Sequence, residues 1–429
     1  MNRNVSRTFP WSASQRRSEG RAHRGHCVAP RLLHLRERST HSRIPLSPQE
    51  VQVLRRVRAG LRILATEKPG LFDVETAQYI GTFAGPGLRV LIEPKLSFDR
   101  VLYFLSYVHG TGRFLEKSGA LGSASGLVEL MQALYSQALE RGLRSGVVRG
   151  YEQHRDDLVS LRGRPDSKAL WLRRFGMFPP VPCEFDELTV DTEPNRRLLA
   201  AASRLARMES DRPDLTQTLR RLTTLFDGVS QVQYAGRLPR LRADRRHAPF
   251  APALNLAELV LENSSLELRD GRLESVGLLV NMEDLFEKFV ATVLGEAMRR
   301  AGGEWEYHPG GVFMDEQERV RLTPDVVWWA QRNRAKLVLD VKYKSTREGE
   351  NPDLYQMLAY CVALGLRRGV LLYADAAEEA TYLVGPAGVE IHVLCFDASG
   401  APEEIHARAK ELAERLIHLA EDNFRVEQA

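Results

Sequence analysis

Residues 321 to 344 read RLTPDVVWWAQRNRAKLVLDVKYK, and three side chains in that stretch, Asp325, Asp340 and Lys342, suit a metal-dependent phosphodiesterase. A hard divalent cation such as Mg2+ takes oxygen ligands in octahedral geometry and keeps several waters, so two carboxylates plus phosphate oxygens make a suitable shell. Asp325 and Asp340 fit as ligands, with Mn2+ as an alternative ion. Lys342 would position the attacking water or help deprotonate it, and would neutralise charge developing on the phosphate beside the metal. The expected chemistry is phosphodiester hydrolysis without a covalent intermediate.

These groups need elements to hold them. Side chains alternate along a strand, so between Leu337 and Lys344 the residues Leu337, Leu339 and Val341 face one way, and Asp340 and Lys342 the other. Gln331 to Ala335 is polar and closes a hairpin, though it lacks the Asn-Gly or Asp-Gly that would fix the turn. Pairing Ala330 with Lys336 puts Asp325 opposite Val341, diagonal to Asp340 and Lys342. Val341 is included in the expected metal set. Downstream, Asn351 as N-cap, Pro352 at the first position and Gly365 as the stop define a helix. Gln356 and Tyr360 lie four apart on it, where an amide and a hydroxyl would orient water or a phosphate oxygen. Upstream, Asn281 to Arg300 forms an amphipathic helix with an apolar stripe of Leu285, Phe286, Phe289, Val293 and Leu294. Glu283 and Glu287 share a face of it. Glu287 is a candidate ligand or supporting group, against the commoner role of pairing with Lys288 or Arg300.

Short motifs recur by chance: Pro-Asp also occurs at Pro165, Pro213 and Pro352, and an acid two residues before a lysine at Glu93 and Asp166. Only the copy at 324 to 342 sets both acids in strand-like apolar runs followed by a fitting helix. Longer blocks in the same order resemble the McrC endonuclease subunits of the McrBC modified-cytosine restriction systems. They are Met282 to Val290 (MEDLFEKFV), Thr323 to Val326 (TPDV), Leu339 to Lys344 (LDVKYK) and Asp353 to Tyr360 (DLYQMLAY). Val90 to Lys95, Leu161 to Arg164, Cys183 to Thr192 and Asn195 to Leu199 extend the likeness over roughly residues 50 to 400. The resemblance implies a mixed α+β protein with a C-terminal PD-(D/E)xK nuclease of αβββαβ core. Ahead of the core it implies a part that docks on a hexameric McrB-like AAA+ GTPase ring, and the substrate it implies is double-stranded DNA methylated at cytosine. Arg162 and Arg164, in a family-like block, are candidates for stimulating that GTPase.

The chain itself carries no phosphate loop. The nearest stretch, Gly110 to Ser118 (GTGRFLEKS), has Glu116 where a glycine should precede Lys117, so the motor is expected on a partner. With 429 residues and 43% hydrophobic content, two or three domains are expected, and no apolar run approaches a membrane span. The cysteines at 27, 183, 361 and 395 form no Cys-x-x-Cys pair, which fits a reducing cytoplasm rather than a zinc ribbon or disulfide framework. The formal charge is +4, yet residues 1 to 47 hold ten Arg and two Glu, leaving the body at −4. That segment is expected to be a disordered basic tail, outside the resemblance. The remainder divides into a β-rich and helical docking domain over 48 to 200, a helical linker over 201 to 275, and the nuclease over 276 to 429. Within these, Pro48 to Glu67 is expected as a helix and Val74 to Pro94 as short strands with Gly81, Gly85 and Gly87 at turns. Two helices follow over 97 to 145, then an irregular stretch over Leu161 to Asp191 in which Pro179, Pro180 and Pro182 break regular structure, then helices over Asn195 to Arg207 and Leu215 to Phe226.

Two other functions stay open on these residues. One is a regulatory adaptor of an AAA+ ring whose nuclease fold does not cut, against which two converging, mutually repelling carboxylates argue. The other is a repair or junction-resolving nuclease, against which the N-terminal resemblance argues.

Overall fold

The computed structural model describes residues 30–425 except 57–59, 110–125, 145, 176, 178, 235, 237, 240, 242–244, 270–271, 332–333, 347–350 and 377. The Gly110 to Ser118 stretch and most of the basic tail lie outside the described residues. The described part of that tail is ordered: β1 (Arg31–Arg36) and β2 (Thr40–Pro45) are strands, and Leu33 and Leu35 of β1 are buried. The expectation of disorder to residue 47 is therefore corrected. Leu33 and Leu35, on either side of His34, give a strand signal that the arginine count of the whole segment concealed.

Helix α1 (Pro48–Arg56) is followed by β3 (Arg62–Ala65), so the single helix expected to Glu67 is too long. Strands β4 (Leu71–Glu75), β5 (Tyr79–Gly85) and β6 (Leu88–Glu93) come next, with Gly87 in the β5–β6 turn at φ 75°. Gly81 is not at a turn. It sits inside β5 at φ 128°, where an added Cβ would lie 2.1 Å from the Leu278 carbonyl oxygen, so glycine permits the close pass of a neighbouring strand.

Helices α2 (Phe98–Val108) and α3 (Leu127–Leu143) agree with their periodicity. The stretch expected to be irregular is instead a long hairpin: β7 (Gly150–Leu158), β8 (Arg164–Pro165), helix α4 (Ser167–Arg174) and β9 (Val181–Thr189). Its pairing runs without a break from Gly150↔Thr189 to Leu158↔Val181, about 30 Å at strand rise. The prolines sit at its edges: Pro165 in a two-residue edge strand, and Pro182 paired with Asp157 beside the start of β9.

Helices α5 (Glu193–Leu205) and α6 (Pro213–Thr223) follow as expected, then α7 (Ala251–Asn263) and strands β10 (Ser264–Arg269) and β11 (Arg272–Asn281). Residues 201 to 275 are thus no helical linker. Helix α7 belongs to the main core, and β11 completes a five-stranded sheet of order β1-β6-β5-β11-β10.

Asn281 ends β11, and its side chain accepts the Glu283 N–H, so it caps α8 (Met282–Met298) with no intervening residue. There follow β12 (Glu304–Tyr307), β13 (Val326–Gln331), β14 (Arg334–Thr346), α9 (Asn351–Leu364), β15 (Arg368–Ala376), β16 (Ala380–Val384), β17 (Val389–Cys395) and α10 (Pro402–Arg425). Gly365, at φ 66°, closes α9. The six strands form one sheet of order β12-β13-β14-β15-β17-β16, with β14, β15 and β17 parallel. Leu337, Leu339, Val341 and Tyr343 pack with α8 and α10 on one face; Val338, Leu371 and Tyr373 pack with α9 on the other. The whole is a mixed α+β molecule with ten α-helices among the described residues, none long and apolar enough to cross a membrane.

Candidate metal centre

Strands β13 and β14 bring the two aspartates together, in a register different from the expected one. Val326 pairs with Leu339 and Trp328 with Leu337, after which the register shifts and Trp329 meets Ala335. One step beyond Val326, Asp325 therefore stands beside Asp340, not opposite Val341. The shift arises at the irregular pairing around Trp329, which the polar turn residues did not reveal. It has a chemical consequence, because directly opposed residues share a sheet face. Asp325 Oδ2 accepts the Val341 N–H at 2.7 Å.

Asp340 is 1% exposed and forms an ion pair with Lys342. Lys342 Nζ also donates to Gln356 Oε1 at 3.2 Å; Gln356 Nε2 donates to the Tyr360 hydroxyl at 2.6 Å, which donates to the Thr323 carbonyl at 3.0 Å. This chain links strand β14 through one face of α9 back to the residue two before Asp325. Helix α9 is anchored near its start by Asp353, which receives Lys344 at 2.9 Å and the Tyr373 hydroxyl. Val341 turns its side chain into the apolar core and spends its N–H on Asp325, leaving its carbonyl as the only group it can offer a cation.

Glu287 and Glu283, on one face of α8, have separate fates. Glu283 binds Arg38 and Gln78, and pairs with neither Lys288 nor Arg300. Glu287 turns toward the aspartates. Ligand atoms of Glu287, Asp325 and His308 all lie within 4.8 Å of one another. His308 was not anticipated from the sequence, since it lies 17 residues from Asp325 in a Tyr-His-Pro-Gly-Gly stretch with no ligand spacing. Only its position after the strand-like Glu304–Tyr307 hinted at it. Its backbone takes the left-handed φ of 49°, its N–H donates to the Asp325 carbonyl at 2.8 Å, and its Nε2 lies 3.7 Å from Asp325 Oδ1.

The electrostatics follow from crowding like charges in a buried place. Burial, then the charges of Asp325, Asp284 and Asp340, push the Glu287 carboxyl up to about 8. Burial and the Asp325 charge push Asp340 up to about 7, against the pull of Lys342. Burial opposes the Lys342 ammonium, but the Asp340 carboxylate outweighs it and holds the group above the usual lysine range. Burial, then Asp340, raises the Tyr360 hydroxyl to about 12. Three carboxylates sharing one buried patch with a single adjacent ammonium form an oxygen-rich, electron-rich cradle. Its donor set fits a hard divalent cation.

A fold of six-stranded sheet and flanking helices with such a cradle on its central strands defines a class of proteins, and comparison narrows it. The family model of the McrBC 5-methylcytosine restriction system component matches residues 74–374. A chain in the refined half-complex from the tetradecameric assembly of Thermococcus gammatolerans McrB AAA+ hexamers with bound McrC is similar in fold. The TM-score is 0.55 at 16% identity, covering 90% of this chain and 100% of that one. A chain in the cryo-EM structure of the Thermococcus gammatolerans McrBC complex matches at TM-score 0.39 and 17% identity, covering 62% of this chain and 88% of that one. No curated protein matches. The chain belongs to the McrBC 5-methylcytosine restriction system component family.

Proposed function

We propose that this chain is a metal-dependent DNA endonuclease subunit of PD-(D/E)xK type, cutting modified DNA in concert with a separate AAA+ GTPase ring. The observation that carries this reading is the cluster of Glu287, His308 and Asp325 ligand atoms beside the Asp340–Lys342 ion pair, on strands and a helix in αβββαβ order. Asp325, Glu287 and His308, whose ligand atoms lie together, would hold the cation, Mg2+ or Mn2+, with Asp340 and the Val341 carbonyl completing its shell. When bound, it supplies positive charge that acidifies a water and offsets charge on the phosphate. Lys342, kept charged by Asp340, neutralises the non-bridging phosphate oxygens as negative charge builds there. Gln356 and Tyr360 fix the Lys342 ammonium in place and present an amide to the attacking water.

The partner reading rests on the fold neighbour, in which McrB AAA+ hexamers bind McrC, and on the β7–β9 hairpin. That hairpin exposes Val159, Leu161, Trp171, Leu172, Phe175 and Met177, each at least 66% accessible. Several exposed apolar side chains on a long stalk fit contact with another protein. Arg162, over Phe185 at 4.4 Å and 3.5 Å from Glu187, stands with Arg164 on the flank of the same stalk.

The test is cleavage of cytosine-methylated and unmethylated plasmid with Mg2+, with and without the partner GTPase, by wild type, Asp340→Ala and Lys342→Ala. Cutting that needs both partner and Asp340 supports the reading, and preference for methylated plasmid supports modified-DNA restriction. Stimulated GTP hydrolysis without cutting would replace it with the adaptor reading.

A further inference from the structure

The sheet that carries the candidate metal centre has a second feature at the same end. A cavity of about 820 Å³ opens where the parallel strands finish, lined by Tyr343 and Lys344 of β14, Ala374 of β15, Cys395 at the end of β17, and Asp397 to Ser399 after it. In parallel sheets, ligands bind beyond the carboxyl ends of the strands. The opposite wall comes from the N-terminal sheets, through Arg38 to Thr40, Glu75, Thr76 and Lys95.

Position and charge identify what this cavity would take. Lys344 is two residues beyond Lys342, about 7 Å along the strand, close to the step between successive phosphates of a nucleic-acid strand. The β17 end lies about 10 Å across from β14 at ordinary strand spacing. A nucleic-acid strand whose scissile phosphate sits at Asp340 and Lys342 would therefore pass over this opening with its next nucleotides. Most charges in the wall are already matched: Arg38 with Glu283, Lys344 with Asp353, Glu75 with Arg62, Asp397 with Arg408 at 3.5 Å. Lys95 is different. It is exposed and makes no ion pair within 4 Å among the described residues; the buried Glu37 behind it accepts its main-chain N–H at 3.1 Å, which fixes its backbone, and feels its charge at longer range.

We infer that the cavity is the subsite for the DNA strand flanking the scissile phosphate, with Lys95 meeting a backbone phosphate from the N-terminal wall. This rests on the nuclease reading. It makes the N-terminal sheet part of the substrate groove and the groove complete only when both halves of the molecule are present. A phosphate contact carries no base information, so Lys95 contributes alike to methylated and unmethylated DNA.

The experiment measures binding of a double-stranded oligonucleotide to the full chain across a salt series, in an Asp340→Ala background, with Lys95→Ala, Lys95→Arg and Lys68→Ala added in turn. Lys68 is exposed and outside the cavity. Lys95→Ala should weaken binding roughly three- to tenfold and lower the salt slope by about 1, equally on both DNAs. Lys95→Arg should retain most binding and Lys68→Ala all of it. Cleavage with the partner is then compared for Lys95→Ala and wild type, both with Asp340 intact. Wild type that cuts no DNA overturns the nuclease reading. Wild type that cuts, with Lys95→Ala binding and cutting as it does, overturns the subsite alone, as does an equal loss in Lys68→Ala.

Discussion

At the scale of single residues, the candidate centre is a place where charge is held at a cost. Glu287 has burial and three nearby acids working against its ionised form. Neutralising it without changing its shape should therefore relieve repulsion while removing a donor. Glu287→Gln is expected to raise folding stability by about 1 kcal/mol and to lower cleavage at least a hundredfold, measured by denaturant unfolding and single-turnover cutting. Lower stability together with full activity would remove Glu287 from the site. Tyr360 acts through Gln356, so Tyr360→Phe should slow cutting several-fold and leave DNA affinity unchanged, since only the orientation of Lys342 and Gln356 is loosened. The meeting of Asp325, Asp340, Lys342, Gln356 and Tyr360 was legible in the sequence because they lie on one strand pair and one helix. His308 was not, because it reaches the site by the turn after β12 and by an uncommon backbone conformation, neither of which leaves a spacing.

At the scale of elements, the hairpin register shows what periodicity can and cannot supply. Alternation correctly divided Leu337, Leu339 and Val341 from Asp340 and Lys342, yet the pairing was misjudged by one residue. In a flat reading that slip would put the two aspartates on opposite faces; the irregular pairing at Trp329 puts them on the same one. The β7–β9 hairpin was missed for a related reason: its prolines read as breakers, whereas they lie at strand edges and the ladder closes around them. That hairpin yields its own prediction. Trp171→Ser with Phe175→Ser changes two side chains at 66% and 81% exposure, so stability should move by less than about 0.5 kcal/mol per site. Affinity for the GTPase ring should fall at least tenfold, as read by co-sedimentation, while ring-independent DNA binding stays intact. Unchanged ring affinity would move the docking surface elsewhere.

At the scale of the whole molecule, the chain is knit together more closely than a tail, docking domain, linker and nuclease in succession. Strand β1 pairs with β6 at the margin of the five-stranded sheet, and Leu35 is 2% exposed in its core. Leu35→Ala should cost about 2 to 5 kcal/mol, visible as an earlier unfolding midpoint; a neutral result would restore this segment to a dispensable extension. Composition misled here because arginines on the exposed positions of a strand count the same as arginines in a tail. The helices of the middle region were legible from their stripes, but their membership of one continuous core with α8 and the sheet beyond it depends on long-range packing that no window of sequence contains.

Asn281 closes the last strand of the N-terminal sheet and caps the helix that carries Glu287. In the language of descent, the joint between the halves is a single residue with no slack to either side. A nuclease exchanged between relatives as a cassette would arrive without its adjoining strand, and a docking half exchanged alone would leave that strand behind. Recombination that preserves function must then carry residues from both sides of position 281 together, so the two halves are expected to share one genealogy even where their partners diverge.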